Sequence, residues 1–430
     1  MIKTIKCAIL LVLFSLPLIP SAAFSQVNIN ADDPNIQYIG RVKDVGTTAP
    51  NYDWPGVYIN AVFQGTSITA RFTIATTSYF EVFIDSQPTG VLLTFNGQAN
   101  YPLATGLADT SHTVSIYKRN GVGGNRITFN GFTLDNGKTL LPPAPRPSRR
   151  IEVIGDSLSV GYGSEMVYLS TGNPLNKENN YIAYGPVTAR RFNADYMITA
   201  TSGRGMVRNY GDASSTSATP MPYYYERTVQ RDTANDWAFA GWVPQAVVIY
   251  LCTNDFSTTP HPSQLQFETG YYNFIQVLRT KNGSSVEIFC MYNSPSYAIA
   301  KTYIDNVVSR CNGEGDSRVH SVDINHVFLP EEKSSDGHYN ANGNIVVSNV
   351  LSAVMAPILG WSTDTSSPTA PGAVRDGAVA GADAGSTLST TQLSANWDVS
   401  VDTESGISKY WYAIGTTPGG TGVAAWADNG

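Results

Sequence analysis

Charge is scarce in this chain of 430 residues: Asp, Glu, Lys and Arg make up 14% of it, and no basic run occurs anywhere. A net charge of −7 with no basic patch excludes nucleic acid as the expected partner. Cysteine is scarcer still, four in all, which excludes a disulfide-stapled scaffold. Beyond the N-terminus no apolar stretch reads as long enough to span a bilayer. Histidine numbers five, His112, His261, His320, His326 and His338, so the choice of a general base is short. What is abundant is Tyr, Gly, Ser, Thr and Asn, a composition that suits a secreted, β-rich protein better than a cytosolic one. The length predicts two to three domains.

Lys3 and Lys6, an apolar run from Cys7 to Ile19, and the small residues Ser21, Ala22, Ala23 and Ser25 have the layout of a secretory signal peptide. Residues 1–25 are therefore expected to be removed after Ser25. A membrane anchor is disfavoured, because the run is short and a polar segment follows it. The mature chain would be extracellular or periplasmic, with no membrane association and as a monomer. It keeps Cys252, Cys290 and Cys311. Cys252 and Cys290 end apolar runs and read as buried free thiols, although a single bridge among the three stays open. Their spacing suggests no zinc site, and no cofactor is expected.

Residues 30–142 read as short strands broken by turns. Val57–Phe63, Ser67–Phe72, Tyr79–Ile84, Thr113–Tyr117 and Arg126–Phe132 are the candidates, with Gly65, Gly90, Asn96-Gly97 and Asn136-Gly137 between them. Many strands at short spacing predict a β-sandwich of jelly-roll type. A stiff Pro-rich link, Leu141 to Pro147, follows. It is short enough that the two flanking domains should pack together. Residues 148–361 alternate strand and helix patterns, the signature of a parallel α/β sheet. Strands are predicted at Ile151–Gly155, Ala194–Ala200, Ala246–Leu251, Val286–Cys290 and Val319–Ile324. Helices are predicted near Ile182–Arg191, Phe267–Arg279, Lys301–Arg310 and Ile345–Leu359. Residues 362–372 are rich in Ser, Thr and Pro and read as a linker. In 373–430, the stretches Leu393–Trp397, Asp402–Ile407 and Tyr410–Gly415 resemble the start of a fibronectin type III-like domain. The segment is too short to bury a full core of its own.

The chain is organised around Ile151-Glu152-Val153-Ile154-Gly155-Asp156-Ser157-Leu158-Ser159. An apolar strand breaks at Gly155 and presents Ser157 just past its end, where ligands bind in open α/β sheets. A plain Gly/Asp/Ser turn would read the same way. Three further pieces downstream favour a nucleophile.

Gly155-Asp156-Ser157-Leu158-Ser159 resembles the first block of the GDSL, or SGNH, hydrolases. Gly203 in Thr201-Ser202-Gly203-Arg204-Gly205 resembles the second, Thr253-Asn254-Asp255-Phe256-Ser257 the third, and Asp336-Gly337-His338-Tyr339-Asn340 the last. The wording of the blocks, preceded by a β-rich segment, is most similar to carbohydrate esterase family 2, and the resemblance covers roughly Ile36 to Trp361. It implies a three-layer α/β/α parallel sheet behind a β-sandwich, and a serine esterase that removes acetyl groups from plant cell-wall polysaccharides such as xylan or glucomannan. It implies Ser157 as nucleophile and His338 as base; His326, close after a predicted strand, is the runner-up by position. The oxyanion donors would be the backbone N–H groups of Ser157 and Gly203 and the amide of Asn254, with Gly205 the alternative to Gly203.

Two departures from the pattern matter. Cys252 stands where the third block normally has Gly, at a crowded strand end. Ser335 stands where many of these enzymes carry an Asp three residues before the His. The orienter of His338 is then either the Asp336 carboxylate, slightly favoured, or a backbone carbonyl such as that of Gly337. Asp156 reads as holding its own turn. Tyr162, Tyr223 to Tyr225, Trp237, Trp242, Phe256 and Tyr297 crowd the same loops, and each serves a sugar cleft or the core equally well. A lipase or thioesterase and a non-catalytic carbohydrate-binding protein are the competing readings. The missing lid and the appended sandwich argue against the first, and the four blocks together argue against the second.

Overall fold

A computed structural model describes residues 26–97, 99–121, 126–363, 369–386, 393–400, 410–414 and 422–428. The expected signal peptide, and the Asp402–Ile407 stretch, lie outside these residues. The N-terminal part holds strands β1 (Gln26–Ile29), β2 (Gln37–Ile39), β3 (Asn51–Tyr52), β4 (Tyr58–Gly65), β5 (Ile68–Ile74), β6 (Ser78–Ile84), β7 (Gln87–Thr94), β8 (Asn100–Ala104), β9 (Thr110–Lys118), β10 (Ile127–Asp135) and β11 (Leu140–Leu141). They form two antiparallel sheets. One runs β1-β10-β5-β8 with β3 added to β10; the other runs β11-β4-β9-β6-β7 with β2 added to β4. The alternation in β5 and β9 turns Ile68, Ala70, Phe72, Val114 and Ile116 inward, where Phe72 stacks on Phe80 between the sheets. The five predicted strands are β4, β5, β6, β9 and β10, each within a few residues. The edge strand β7 was not anticipated, because Pro88 and Gly90 interrupt its pattern, and such residues are tolerated at edges.

The second part is built on a five-stranded, wholly parallel sheet of β12 (Arg149–Gly155), β13 (Ala194–Ala200), β14 (Ala246–Tyr250), β15 (Glu287–Tyr292) and β16 (Val319–Asp323). The strand order is β13-β12-β14-β15-β16. The central strand β14, Ala246-Val247-Val248-Ile249-Tyr250, is buried throughout and reads as a continuous apolar run, whereas the edge strand β16 is only partly buried and mixes Val319 and Val322 with His320, Ser321 and Asp323. The helices are α1 (Ser157–Val160), α2 (Tyr184–Arg191), α3 (Thr253–Phe256), α4 (Gln264–Asn282), α5 (Ala298–Gly313) and α6 (Ala341–Leu359). Helix α2 pairs with α6, and α4 with α5. Among the described residues, α6 alone is long and apolar enough to cross a bilayer, contrary to the expectation that no stretch beyond the N-terminus is. It packs instead against α2, with Val347, Leu351 and Met355 buried.

Strand order reverses direction at β12. The chain leaves β12 towards β13, then returns past it to β14. That reversal opens a crevice at the carboxyl ends of these strands. Ser157 follows β12, Gly203 follows β13 and Asn254 follows β14, so three sequence blocks far apart in the chain meet at one crevice.

The two parts share a buried contact. Arg41, fully buried, donates from Nη2 to Glu152 Oε1 at 2.8 Å on β12, and to the carbonyls of Tyr225 and Arg227. Its guanidinium lies among the rings of Trp54, Tyr225, Trp237 and Phe239. Beyond Trp361 the described residues form two small antiparallel ladders, β17 (Val374–Asp376) with β18 (Ala395–Trp397) and β19 (Trp411–Ile414) with β20 (Ala424–Asp428).

Candidate active site

Gly155 ends β12, and Asp156 caps the short helix α1 by accepting the Leu158 N–H at 3.0 Å. The nucleophile candidate is thus the first residue of a one-turn helix. At the other end of the site, the Asn340 side chain caps α6 through the N–H groups of Asn342 and Gly343. His338 sits two residues ahead of that cap. The two segments, 181 residues apart, bring Ser157 Oγ and His338 Nε2 to 2.7 Å. The other ring nitrogen, Nδ1, lies 3.2 Å from the carbonyl oxygen of Ser335. A carbonyl can only accept, so Nδ1 carries the proton and Nε2 offers its lone pair to the serine hydroxyl. Burial lowers the His338 pKa from its usual 6.5, against the raising effect of the Ser335 and Asp336 backbone and of the Asp336 charge.

The expectation that the Asp336 carboxylate orients the imidazole is not met. Asp336 is exposed and adopts φ 51°, and its Oδ2 accepts the Tyr162 hydroxyl and the Gly172 N–H, both at 3.0 Å. A left-handed residue two positions before the histidine turns its side chain out of the ring's edge. The carbonyl that takes that place belongs to Ser335, not to Gly337. A carbonyl has no side-chain signature, so sequence could not single it out.

The oxyanion candidates are tied together by one side chain. Asn254 Nδ2 donates to Asp156 Oδ2 at 3.0 Å and to the Arg204 carbonyl at 2.9 Å. It thereby links the residue before Ser157 to the residue after Gly203. Both amide hydrogens are engaged. The N–H groups of Ser157 and Gly203, by contrast, have no acceptor among the described residues. Gly203 has φ +78°, and a Cβ there would meet no atom within 4 Å, so no side chain blocks approach to its backbone. Gly205 donates to Asn209 Oδ1 at 3.4 Å, and a Cβ on it would strike the Arg208 carbonyl at 2.0 Å. It is a packing glycine, which leaves Gly203 as the donor candidate.

Beneath lie two buried carboxyls. Burial pushes Asp156 up to about 7, with a further raising effect from the nearby Asp255. Asp255 itself is pushed up to about 6 by burial, opposed by the N–H groups of Met206, Val207 and Arg208 that it accepts at 2.8–2.9 Å. Asp156 holds its turn, as its position suggested. Cys252, Cys290 and Cys311 are free and buried, and burial raises all three thiols. Such thiols are inert.

His326 is occupied elsewhere, bonded to Glu332 at 2.8 Å. Of the aromatic residues flagged above, Tyr225, Trp242 and Phe256 are core. Tyr223 is exposed. Tyr162 lies on the site itself, its ring stacked on His338 at 4.1 Å. Tyr210, 62% exposed and hung from the Gly203 carbonyl by its N–H, was not anticipated. Among the described residues no group of His, Cys, Asp and Glu is arranged to hold a metal ion.

A serine at the start of a short helix just past a buried strand, bonded to a tautomer-fixed histidine and next to two N–H groups with no acceptor among the described residues, can carry out acyl transfer. Residues 38–145 match the family model described as carbohydrate esterase 2 N-terminal, and residues 151–351 match that of GDSL-like lipase/acylhydrolase. An acetylxylan esterase/glucomannan deacetylase from Cellvibrio japonicus is 30% identical, over 70% of this chain and 83% of that protein. The chain belongs to carbohydrate esterase family 2. The cellulase/esterase CelE of Acetivibrio thermocellus is 31% identical over 77% of this chain, but this chain spans only 40% of that longer relative. A family two carbohydrate esterase from Clostridium thermocellum, solved in complex with cellohexaose, superposes with a TM-score of 0.71 at 29% identity. That match covers 76% of this chain and 99% of the solved one. As a family 2 esterase the chain is a carboxylic ester hydrolase that acts on carbohydrate, with an SGNH hydrolase fold behind an antiparallel β-rich domain.

Proposed function

We propose that this family 2 esterase is secreted and removes O-acetyl groups from plant cell-wall polysaccharides, xylan or glucomannan, through an acetyl-serine intermediate. The observation that carries the proposal is the 2.7 Å contact between Ser157 Oγ and the unprotonated Nε2 of His338. The substrate class is supported by the acetylxylan esterase/glucomannan deacetylase relatives. Secretion is supported by the N-terminal layout of residues 1–25 alone.

In the first half-reaction Ser157 Oγ bonds to the acetyl carbonyl carbon while His338 Nε2 takes its proton. The oxyanion is met by the Ser157 and Gly203 N–H groups, donors of a kind each worth about 3–4 kcal/mol. Asn254 joins them by sharing a hydrogen now given to Asp156 or Arg204. The C–O bond to the sugar breaks, and His338 returns the proton to the departing hydroxyl. Water then attacks the acetyl-serine with His338 again as base, and acetate leaves. The Ser335 carbonyl holds the ring throughout, so the catalytic unit is a Ser157–His338 dyad steadied by the backbone.

A solved relative at 26% identity is described as having an active site with divergent catalytic and non-catalytic binding functions, which keeps sugar binding without turnover as the second reading. Acetate release from acetylated xylan and glucomannan separates the two. The wild-type protein is expected to release acetate and Ser157→Ala to lose nearly all of it with its fold intact. Equal release by the two proteins would overturn the assignment.

A further inference from the structure

We propose that Tyr162 and Asp336 act together as positioning residues for His338, holding the imidazole by its face where the fold places no carboxylate at its edge. The proposal rests on the Ser157–His338 reading above. The Tyr162 ring lies 4.1 Å from the imidazole, centroid to centroid, at an interplanar angle of 23°. Its hydroxyl donates to Asp336 Oδ2 at 3.0 Å, and the same oxygen accepts the Gly172 N–H at 3.0 Å.

The chemistry of the ring asks for such a contact. At its edge the imidazole has one neutral acceptor, the Ser335 carbonyl at 3.2 Å. With the Ser157 contact at Nε2 and the Ser335 contact at Nδ1, the ring can still tilt about the line that joins them, and a stacked face removes that motion. When His338 takes the serine proton, the new positive charge faces the phenol's π cloud, an attractive arrangement. By accepting the phenol proton, the Asp336 carboxylate makes that cloud richer in electrons. The acid missing from the ring's edge thus acts one ring away. Asp336 is the charged group whose field acts on His338, while Asp336, Glu178 and Tyr210 all act on Tyr162.

The rest of the fold braces this arrangement. The loop that supplies the Gly172 N–H also ties Asn173 Oδ1 to the Gly163 N–H at 2.9 Å, directly after Tyr162. The β-sandwich props the same loop: Asn120 Nδ2 bonds the Leu175 carbonyl at 2.6 Å, and the fully buried Arg119 reaches Glu165 and the Asn176 carbonyl. The left-handed backbone at Asp336 is what turns its carboxylate toward Tyr162. The same feature that removed the expected triad therefore builds its substitute.

The test is a double-mutant cycle of Tyr162→Phe and Asp336→Asn in the full-length protein, read as kcat, KM and the pH dependence of kcat/KM on 4-nitrophenyl acetate. Tyr162→Phe keeps the stacked ring and Asp336→Asn keeps the side-chain shape, so neither disturbs folding. Each single change is expected to lower kcat about tenfold with KM unchanged, the loss of one charge-assisted hydrogen bond. The double mutant should be no worse than the poorer single, because both remove the same interaction. Asp336→Asn should also move the acid limb to lower pH, since it removes a charge that favours the imidazolium. Singles within twofold of wild type, losses that multiply in the double mutant, or an unmoved acid limb in Asp336→Asn would each overturn the proposal. Ser157→Ala and His338→Ala are run alongside. If they too retain turnover, it is the dyad assignment itself that falls.

Discussion

Replacing Arg41 by Met should destabilise the protein by about 3–5 kcal/mol, the usual cost of stripping one partner from a buried ion pair. Both side chains are essentially sealed from water, at 0% and 2% exposure. Glu152 would be left with two neutral donors, the Thr199 hydroxyl at 2.8 Å and the Tyr225 hydroxyl at 3.1 Å, too few to offset a buried charge. Unfolding entropy is about 2.1 cal/mol/K per residue, or ~0.7 kcal/mol/K for a cooperative unit of roughly 340 residues. The midpoint of thermal unfolding should therefore drop by about 4–7 °C, measured by calorimetry or circular dichroism. The double change Arg41→Met with Glu152→Gln should recover most of the loss, because removing both charges of a buried pair is often near neutral. A single-mutant drop below about 1 °C would refute the reasoning about the charge. So would a double mutant as unstable as the two singles summed, since the loss would then lie in packing against the four surrounding rings. Either result would also mean that the sandwich is held to the nucleophile strand by something other than this pair.

Because burial lowers the His338 pKa, and the protonated ring cannot accept the serine proton, the acid limb of kcat/KM should fall below the ordinary histidine value of 6.5. A limb above that value, in a pH series on 4-nitrophenyl acetate, would contradict the burial argument. Gly203→Ala should lower kcat on the order of 10²–10³ with little change in KM, since a residue with a Cβ resists φ +78° and the oxyanion donor is re-aimed. Nothing lies within 4 Å of the added methyl, so the fold should survive with only the backbone strain, about 1–3 kcal/mol, lowering the melting temperature, and full activity in that variant would remove Gly203 from the site.

The sequence by itself determined the parts of this protein that local pattern encodes. The central parallel strand β14 carries an unbroken apolar run because both its faces are buried. Helices α2, α4, α5 and α6 follow the 3.6-residue period, and Ser157, Gly203, Asn254 and His338 fall in recognisable blocks. Tertiary structure alone decided which atoms meet. The φ 51° of Asp336 took its carboxylate from the imidazole to Tyr162, and a backbone carbonyl, which every residue possesses, took its place. The capture of both Asn254 amide hydrogens by Asp156 and Arg204 depends on three strands meeting at the reversal beside β12. The buried Arg41–Glu152 pair joins residues 111 apart, and neither carries a local sign that the other exists. Periodicity reports which face of an element is dry; hydrogen-bond partners are set by the packing of elements distant in the chain, and only the assembled fold assigns them.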